Sequence, residues 1–560
     1  MKPLLAALSF VPAALAVLMA LYYIWGPAEG YFHSDCTDSI YWAQATVESG
    51  SVFDQYFRYA GMLPFSVSMI FVPLVRIFGV GMTAQNIGMT LFVLIYICSV
   101  VFVCRSAGAG WGWSSFAAFV SVAAMSSSDK LRELMYGHNI YYTIGPVIVF
   151  FGIGLLLRST RNLFGRDAKR KNVIWGSIQA AMFFLLCLGA ATDGGQIIVL
   201  GSLPAAAGLA AARFFSGKEP LASRKNLSIP ASLAVFCAGT LAGTLLLKIW
   251  KGSIECGYAE AYSGWSDPGS WADNALAFVK QYFTLIGVAP KDSLFSVQSA
   301  GTIVRILGGL LLLAVPAAMF FFYPKISEGT ASLLWCHTAV SFVVMFGFIC
   351  GKLSGVNWRL TPIIASASVV CVMALFELFS SHRTEPDENG KKKEPGSGNT
   401  GVPARAGALL ACFLVIFSLL IFREVMKMPA DYGRDNYRHK LASFLEEKGL
   451  EYGYATFWQS QSITVLSDSK VKCREVLAAK NYGVYSDFYQ SSKKWYTGLN
   501  YDKYFVLLSE SEYANVRTTP SWTDWTERLL LDEYSSDDGV YPGYRVFVFS
   551  ENVADIGPLE

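Results

Sequence analysis

The stretch YFHSDCTDSIYWAQA (residues 31–45) directly follows the first apolar run of the chain, Leu4 to Ile24. It sets His33, Asp35 and Asp38 beside a membrane boundary. Ionisable groups that close to a bilayer are costly and are usually retained for function. Asp35 and Asp38 are spaced i, i+3, so they share a face on a helix and from a loop can still point into one cavity. A carboxylate in such a place can serve as a general base.

The rest of the chain gives this stretch its context. The 560 residues are 53% hydrophobic and only 16% charged, with a mean hydropathy of +0.39. A soluble protein of this length carries more charge. Apolar runs near spanning length occur at 4–25, 86–105, 112–127, 141–158, 174–191, 195–213, 229–249, 301–322, 330–350, 359–379 and 405–422, which predicts about eleven transmembrane helices. The first run reads as a retained anchor, since it lacks a clear small-residue cleavage site and many spans follow it. Segment 63–80 holds Pro64, Pro73 and Arg76, which suit a lipid-exposed helix poorly, so it reads as a re-entrant or interfacial helix of the first outer loop.

Basic loops stay in the cytoplasm. The basic segments are 158–171, 213–225 and 382–398. With the amino terminus inside, all three fall inside and the C-terminal portion falls outside. The first outer loop then spans 26–85. Other outer stretches are SSSDKLRELMYGHNIYYT (126–143), the aromatic-rich 250–300 with Tyr258, Tyr262, Trp265, Trp271 and Tyr282, and GKLSGVNWRLTP (351–362). The chain divides into a membrane module, 1–423, and an extracytoplasmic α/β domain, 424–560. The cytoplasmic linker 380–404 has the composition of a disordered segment. In the outer domain a helix is expected at 435–449, with strands at 452–458, 462–467, 503–509 and 544–550.

Several function classes drop out. The net charge of +3 and the lack of a basic-aromatic stripe argue against nucleic acid. The 11 cysteines form no CxxC pair and no zinc spacing. There is no HExxH, and no GxSxG elbow in a strand-turn-helix context. The polar outer stretches supply Asp129, Lys130, Arg132, Glu133 and His138, then Lys352 and Arg359. Such cations bind phosphate through charge-assisted hydrogen bonds. The plainer readings are helix caps for the aspartates, snorkelling for Lys352 and Arg359, and a solvated pair for Arg132 and Glu133. Asp193, in GAATDGGQ (189–196), reads as a turn residue between two spans.

The pattern resembles the GT-C superfamily of integral-membrane glycosyltransferases, which includes oligosaccharyltransferases, protein O-mannosyltransferases and lipid A aminoarabinose transferases. The segments carrying the likeness are HSDCTDSIYWAQA (33–45), RYAGMLPFS (58–66), SSSDKLRELMYGHN (126–139) and NWRLTP (357–362). The resemblance implies a GT-C-like polytopic α-helical protein of a bacterial plasma membrane. Its activity would be transfer of a sugar from a polyprenyl-phosphate donor to a glycan, lipid or protein acceptor on the outer face. Carried over, the first-loop acid falls on Asp35 or Asp38 as catalytic base, and the second-loop acid on Asp129 or Glu133. Phosphate contacts fall on Arg132, His138 or Arg359, with His33 and Lys352 as further substrate-binding candidates. The chain departs from the oligosaccharyltransferases in lacking a WWDYG-like signature, and DKLRE is not a clean acidic doublet. A divalent cation is compatible with such a site, but an inverting displacement does not require one. The alternatives are a transporter or flippase for lipid-linked glycans, which should show inverted repeats and broken helices at the midplane, and a non-catalytic scaffold.

Overall fold

The computed structural model describes residues 7–165, 170–216, 223, 226–252, 254, 264–288, 299–351, 356–380, 401–430, 435–480 and 482–557. Among them, nine helices are long and apolar enough to cross a membrane: Met82–Ser106, Tyr141–Phe164, Arg170–Thr192, Gly195–Ser216, Ser228–Lys251, Ser299–Lys325, Glu328–Cys350, Asn357–Ser380 and Arg405–Met426. The two other expected spans are shorter. They are the 14-residue helices Val11–Ile24 and Trp111–Ala124. At 1.5 Å per residue each rises about 21 Å, less than the roughly 30 Å of a hydrocarbon core. The second is cut short at its end by Ser126–Ser128, where Ser128 Oγ turns to cap the next helix by accepting from Leu131 N.

The proline-bearing segment 63–80 forms one 15-residue helix, Pro64–Phe78, with Pro64 at its start and Pro73 inside. It packs between the Asp38–Ser49 helix and the Met82–Ser106 helix and turns Met69, Ile77 and Phe78 outward. It has no side-chain cap of its own. The cap comes from afar: Asp193 accepts from Phe65 N (2.8 Å) and from Ser66 Oγ (2.6 Å). Asp193 is the expected turn residue, and the fold gives that turn this second task.

Beyond Met426 the chain builds a six-stranded sheet. Its strands are β1 (Tyr452–Ala455), β2 (Lys472–Ala479), β3 (Gly483–Ser486), β4 (Tyr504–Ser509), β5 (Leu530–Tyr534) and β6 (Tyr544–Phe549), in the order β3-β2-β1-β4-β6-β5. β1 runs parallel to both β2 and β4, with Tyr454 beside Arg474 and Val506. The outer pairings are antiparallel. Parallel neighbours need a crossover, usually helical. That requirement overrides the strand expected at 462–467: residues Phe457–Leu466 form a helix, buried from Gln459 onward. The first expected strand stops at Ala455 for the same reason. The helix expected at 435–449 is Tyr437–Glu447. β2, β3 and β5 gave no clear signal in the sequence pattern.

The sheet domain sits directly on the segment between the Val11–Ile24 and Met82–Ser106 helices. Asn436 Nδ2 donates to Glu29 O (2.9 Å) and Phe32 O (3.0 Å). Arg58 and residues 490–491 exchange main-chain hydrogen bonds, and Trp495 Nε1 donates to Glu48 Oε2 (2.8 Å). At the start of the Met82–Ser106 helix, Asp468 Oδ1 accepts from Met82 N (2.8 Å). Gly81 permits this, since a Cβ there would lie 2.2 Å from Asp468 Oδ1. Carboxylates suit helix N-termini because the first N–H groups lack partners and the helix dipole is positive there.

Candidate active site

The loop after Val11–Ile24 tightens into two short 3-10 turns, Pro27–Tyr31 and Ser34–Thr37, then enters the Asp38–Ser49 helix. The second polar stretch folds as the helix Asp129–Tyr136 and a turn through His138. The two meet face to face. His33 Nε2 lies 3.4 Å from Glu133 Oε2, and His33 Nδ1 lies 4.0 Å from Asp35 Oδ2. His138 Nε2 lies 3.1 Å from Asp38 Oδ2. Ser39 Oγ donates to Asn139 Oδ1 (2.7 Å). Gln85, from the Met82–Ser106 helix, ties both stretches by donating to Cys36 O (3.1 Å) and Gly137 O (3.0 Å).

Between them lies a cavity of about 150 Å³, lined among others by Tyr31, His33, Cys36, Gln85, Arg132 and Glu133, with Asp129 also in its wall. Arg132 is buried. It donates through NH1 to Ser126 O (2.7 Å) and through NH2 to Asp129. Its Nε is buried and has no hydrogen-bond partner among the described residues. Lys130 Nζ holds both oxygens of Glu133, at 2.7 and 2.6 Å, and sits 5.2 Å from the Trp358 ring centre.

The charges follow from these contacts. The Cys36 sulfur and the Glu133 carboxylate, against the opposing effect of burial, push His33 up to about 11, so its ring is an imidazolium at neutral pH. Burial raises Glu133, but His33 and Lys130 outweigh it and bring that carboxyl down to about 2. Burial pushes Asp38 up. Burial alone would lower His138, but its bond to Asp38 holds the imidazole proton and raises it. Two partly compensated charge pairs therefore stand side by side, His33–Glu133 open to the cavity and His138–Asp38 behind it.

The predicted site residues thus divide. His33, Asp129, Arg132 and Glu133 share the cavity wall; Asp35 flanks His33 with its side chain 37% exposed; Asp38 and His138 lie underneath, each 12% exposed. Arg359 lies outside that wall, facing Tyr142, with its Nε buried and without a hydrogen-bond partner among the described residues. Lys352, Tyr258, Tyr262 and most of the 380–404 linker fall outside the described residues. Among the described residues no group of three His, Cys, Asp or Glu side chains is placed to hold a metal ion.

Three neighbours escaped the sequence reading: Trp42, Gln85 and Gln490. Trp42 had a usable signal, being i+4 from Asp38 and so on its helical face. Gln85 and Gln490 had none, for each reaches the site through tertiary packing.

No protein-family model matches the chain, and no curated protein matches it in sequence. Solved structures do resemble it. ArnT from Cupriavidus metallidurans in the apo state superposes with a TM-score of 0.55 at 12% identity, covering 100% of this chain and 100% of that one. The same protein bound to undecaprenyl phosphate gives 0.52 at 14% identity, covering 98% and 99%. A likeness over the whole length of both chains, at so low an identity, is a likeness of fold: this chain is a polytopic membrane protein with a GT-C-like fold and a C-terminal sheet domain.

Proposed function

We propose that the chain is a glycosyltransferase that moves a sugar from a polyprenyl-phosphate-linked donor to a glycan, lipid or protein acceptor on the outer face of the membrane. The observation that carries this reading is the cavity whose wall holds the His33 imidazolium and Arg132, whose buried Nε–H has no partner among the described residues, with Asp35 Oδ2 4.0 Å from His33 Nδ1. Buried cations with free donors are suited to a phosphate leaving group. The ArnT crystal form bound to undecaprenyl phosphate supports a lipid phosphate as the ligand class.

In this reading Asp35 takes the proton of the acceptor hydroxyl or amine. The acceptor atom then bonds to the anomeric carbon from the face opposite the phosphate. The bond from that carbon to the phosphate oxygen breaks, and its electron pair leaves with polyprenyl phosphate. Arg132 and His33 neutralise the charge that develops there. Asp38 and His138 hold the loop and set the field at Asp35. Sidedness rests on charge: Arg158, Arg161 and Arg213 gather around Ser106 and Thr160, at the helix ends far from the cavity, and basic ends belong in the cytoplasm.

The test uses purified full-length protein in detergent with a panel of polyprenyl-phosphate sugars and crude envelope acceptors. Release of polyprenyl phosphate by the wild type, reduced about 100-fold or more in a folded Asp35→Asn variant, is the expected result. Binding of lipid-linked glycan with no turnover would overturn it in favour of a transporter or scaffold.

A further inference from the structure

Gln490 belongs to the sheet domain, yet its side chain ends inside the first outer loop. Its Nε2 donates to Asp38 Oδ1 (2.6 Å), and its Oε1 accepts from Trp42 Nε1. An indole N–H donates and has nothing to accept with. The amide oxygen must therefore face Trp42, and the NH2 must face Asp38, so the amide orientation follows from chemistry. The backbone is committed to the same end. Gln490 adopts φ +57°, the left-handed region that a side-chain-bearing residue rarely occupies. Gln490 N donates to Arg58 O (2.9 Å), and its carbonyl accepts from Gln461 Nε2 (3.0 Å). Gln461 Oε1 in turn accepts from Thr37 Oγ1 (2.7 Å), one residue before Asp38. A backbone held off its preferred conformation by surrounding bonds points to a functional demand.

We infer that Gln490 is a positioning residue: the sheet domain uses it to fix the Asp38 carboxylate and to confine the proton of the Asp38–His138 pair to the Oδ2–Nε2 line. An amide NH2 can only donate, so Oδ1 carries no proton. The charged groups that face the pair are Asp35 and His33 from the first loop and Glu133 from the Asp129–Tyr136 helix. The state of the pair therefore reaches the carboxylate assigned above as base. The sheet domain then completes the site, and its docking and the site's charge are one arrangement. This inference rests on the proposed function only for its kinetic consequence.

The test follows the His138 ring by nitrogen NMR in full-length protein labelled with [15N]histidine, assigned with a His138→Gln variant, alongside the pH dependence of kcat. Gln490→Leu removes the donor to a carboxylate, so the pair takes up its second proton at a pH about one unit higher. The acid limb of kcat moves with it, while KM for the donor is unchanged. Gln490→Glu moves the same step further, by about two units, since its carboxyl donates only when protonated. If either variant fails to fold, Trp42→Phe leaves the amide oxygen only the long bond from Ala60 N (3.5 Å), which loosens the amide and shifts the step in the same direction by a smaller amount. Folded variants whose His138 titration matches the wild type would overturn the inference. A shifted titration in a protein that turns over no donor would uphold Gln490 and remove the glycosyltransferase reading instead.

Discussion

His138 Nε2 and Asp38 Oδ2 are 3.1 Å apart, joining the start of the Asp38–Ser49 helix to the turn that ends the Asp129–Tyr136 helix. The second oxygen of Asp38 is occupied by Gln490. Both of its oxygens are therefore engaged, while Asp35, three residues earlier, keeps its side chain 37% exposed. The two aspartates should separate by phenotype. Asp35→Asn lowers kcat by about 100-fold or more and leaves the melting temperature unchanged. Asp38→Ala strands His138 and Gln490 and destabilises the fold by about 3 kcal/mol. Thermal melts paired with turnover assays on both variants check this.

Arg132 and His33 both have donor capacity to spare in the cavity wall, through Nε and Nδ1. Arg132→Lys keeps the charge but loses the planar fork. We expect KM for the lipid-phosphate donor to rise about 10-fold or more, with a smaller effect on the acceptor. Equal effects on both substrates would separate Arg132 from the phosphate.

The His33–Glu133 pair carries a pH signature. His33 is raised from 6.5 to about 11, so its contribution to stability is full below pH 6.5 and fades as pH rises through about 11. Glu133 is lowered from 4.5 to about 2, so its contribution is full above pH 4.5 and fades as pH falls through about 2. The difference in melting temperature between wild type and the His33→Gln, Glu133→Gln double variant should be largest between pH 4.5 and 6.5. It should shrink on either side.

Asp193 offers a test far from the cavity. Burial pushes it up to about 7, against its bonds to Phe65 and Ser66. The folded state thus favours the protonated acid, a contribution that is full below pH 3.8 and lost as pH rises through about 7. Wild type should lose melting temperature between pH 3.8 and about 7, and Asp193→Asn should lose less. Asp193→Ala leaves Phe65 N and Ser66 Oγ without their acceptor, which costs about 1–2 kcal/mol.

Much of the fold was legible because the bilayer imposes long apolar runs. The spans that came out short were those whose ends are set by polar contacts, as at Ser126–Ser128. The strand misread at 462–467 shows the limit of local pattern: Ser462 to Ser467 alternate like a strand, but β1 and β2 run parallel and need a helix between them. Within the site, charge at a membrane edge flagged His33, Asp35, Asp38, Arg132 and Glu133. Nothing local flags Gln490, because a glutamine in YQSSKKW (489–495) acquires meaning only when the sheet domain docks.

The cap that Asp468 places on Met82 has a consequence in time. The two residues are 386 positions apart, so the first long membrane helix starts on a group that is synthesised long after that helix. Until the final part of the chain has been made, folded and docked, Met82 N and Asp38 Oδ1 lack the partners they have in the finished fold. The cavity wall at Met82 is thus finished last, and an incompletely made chain lacks that part of the wall.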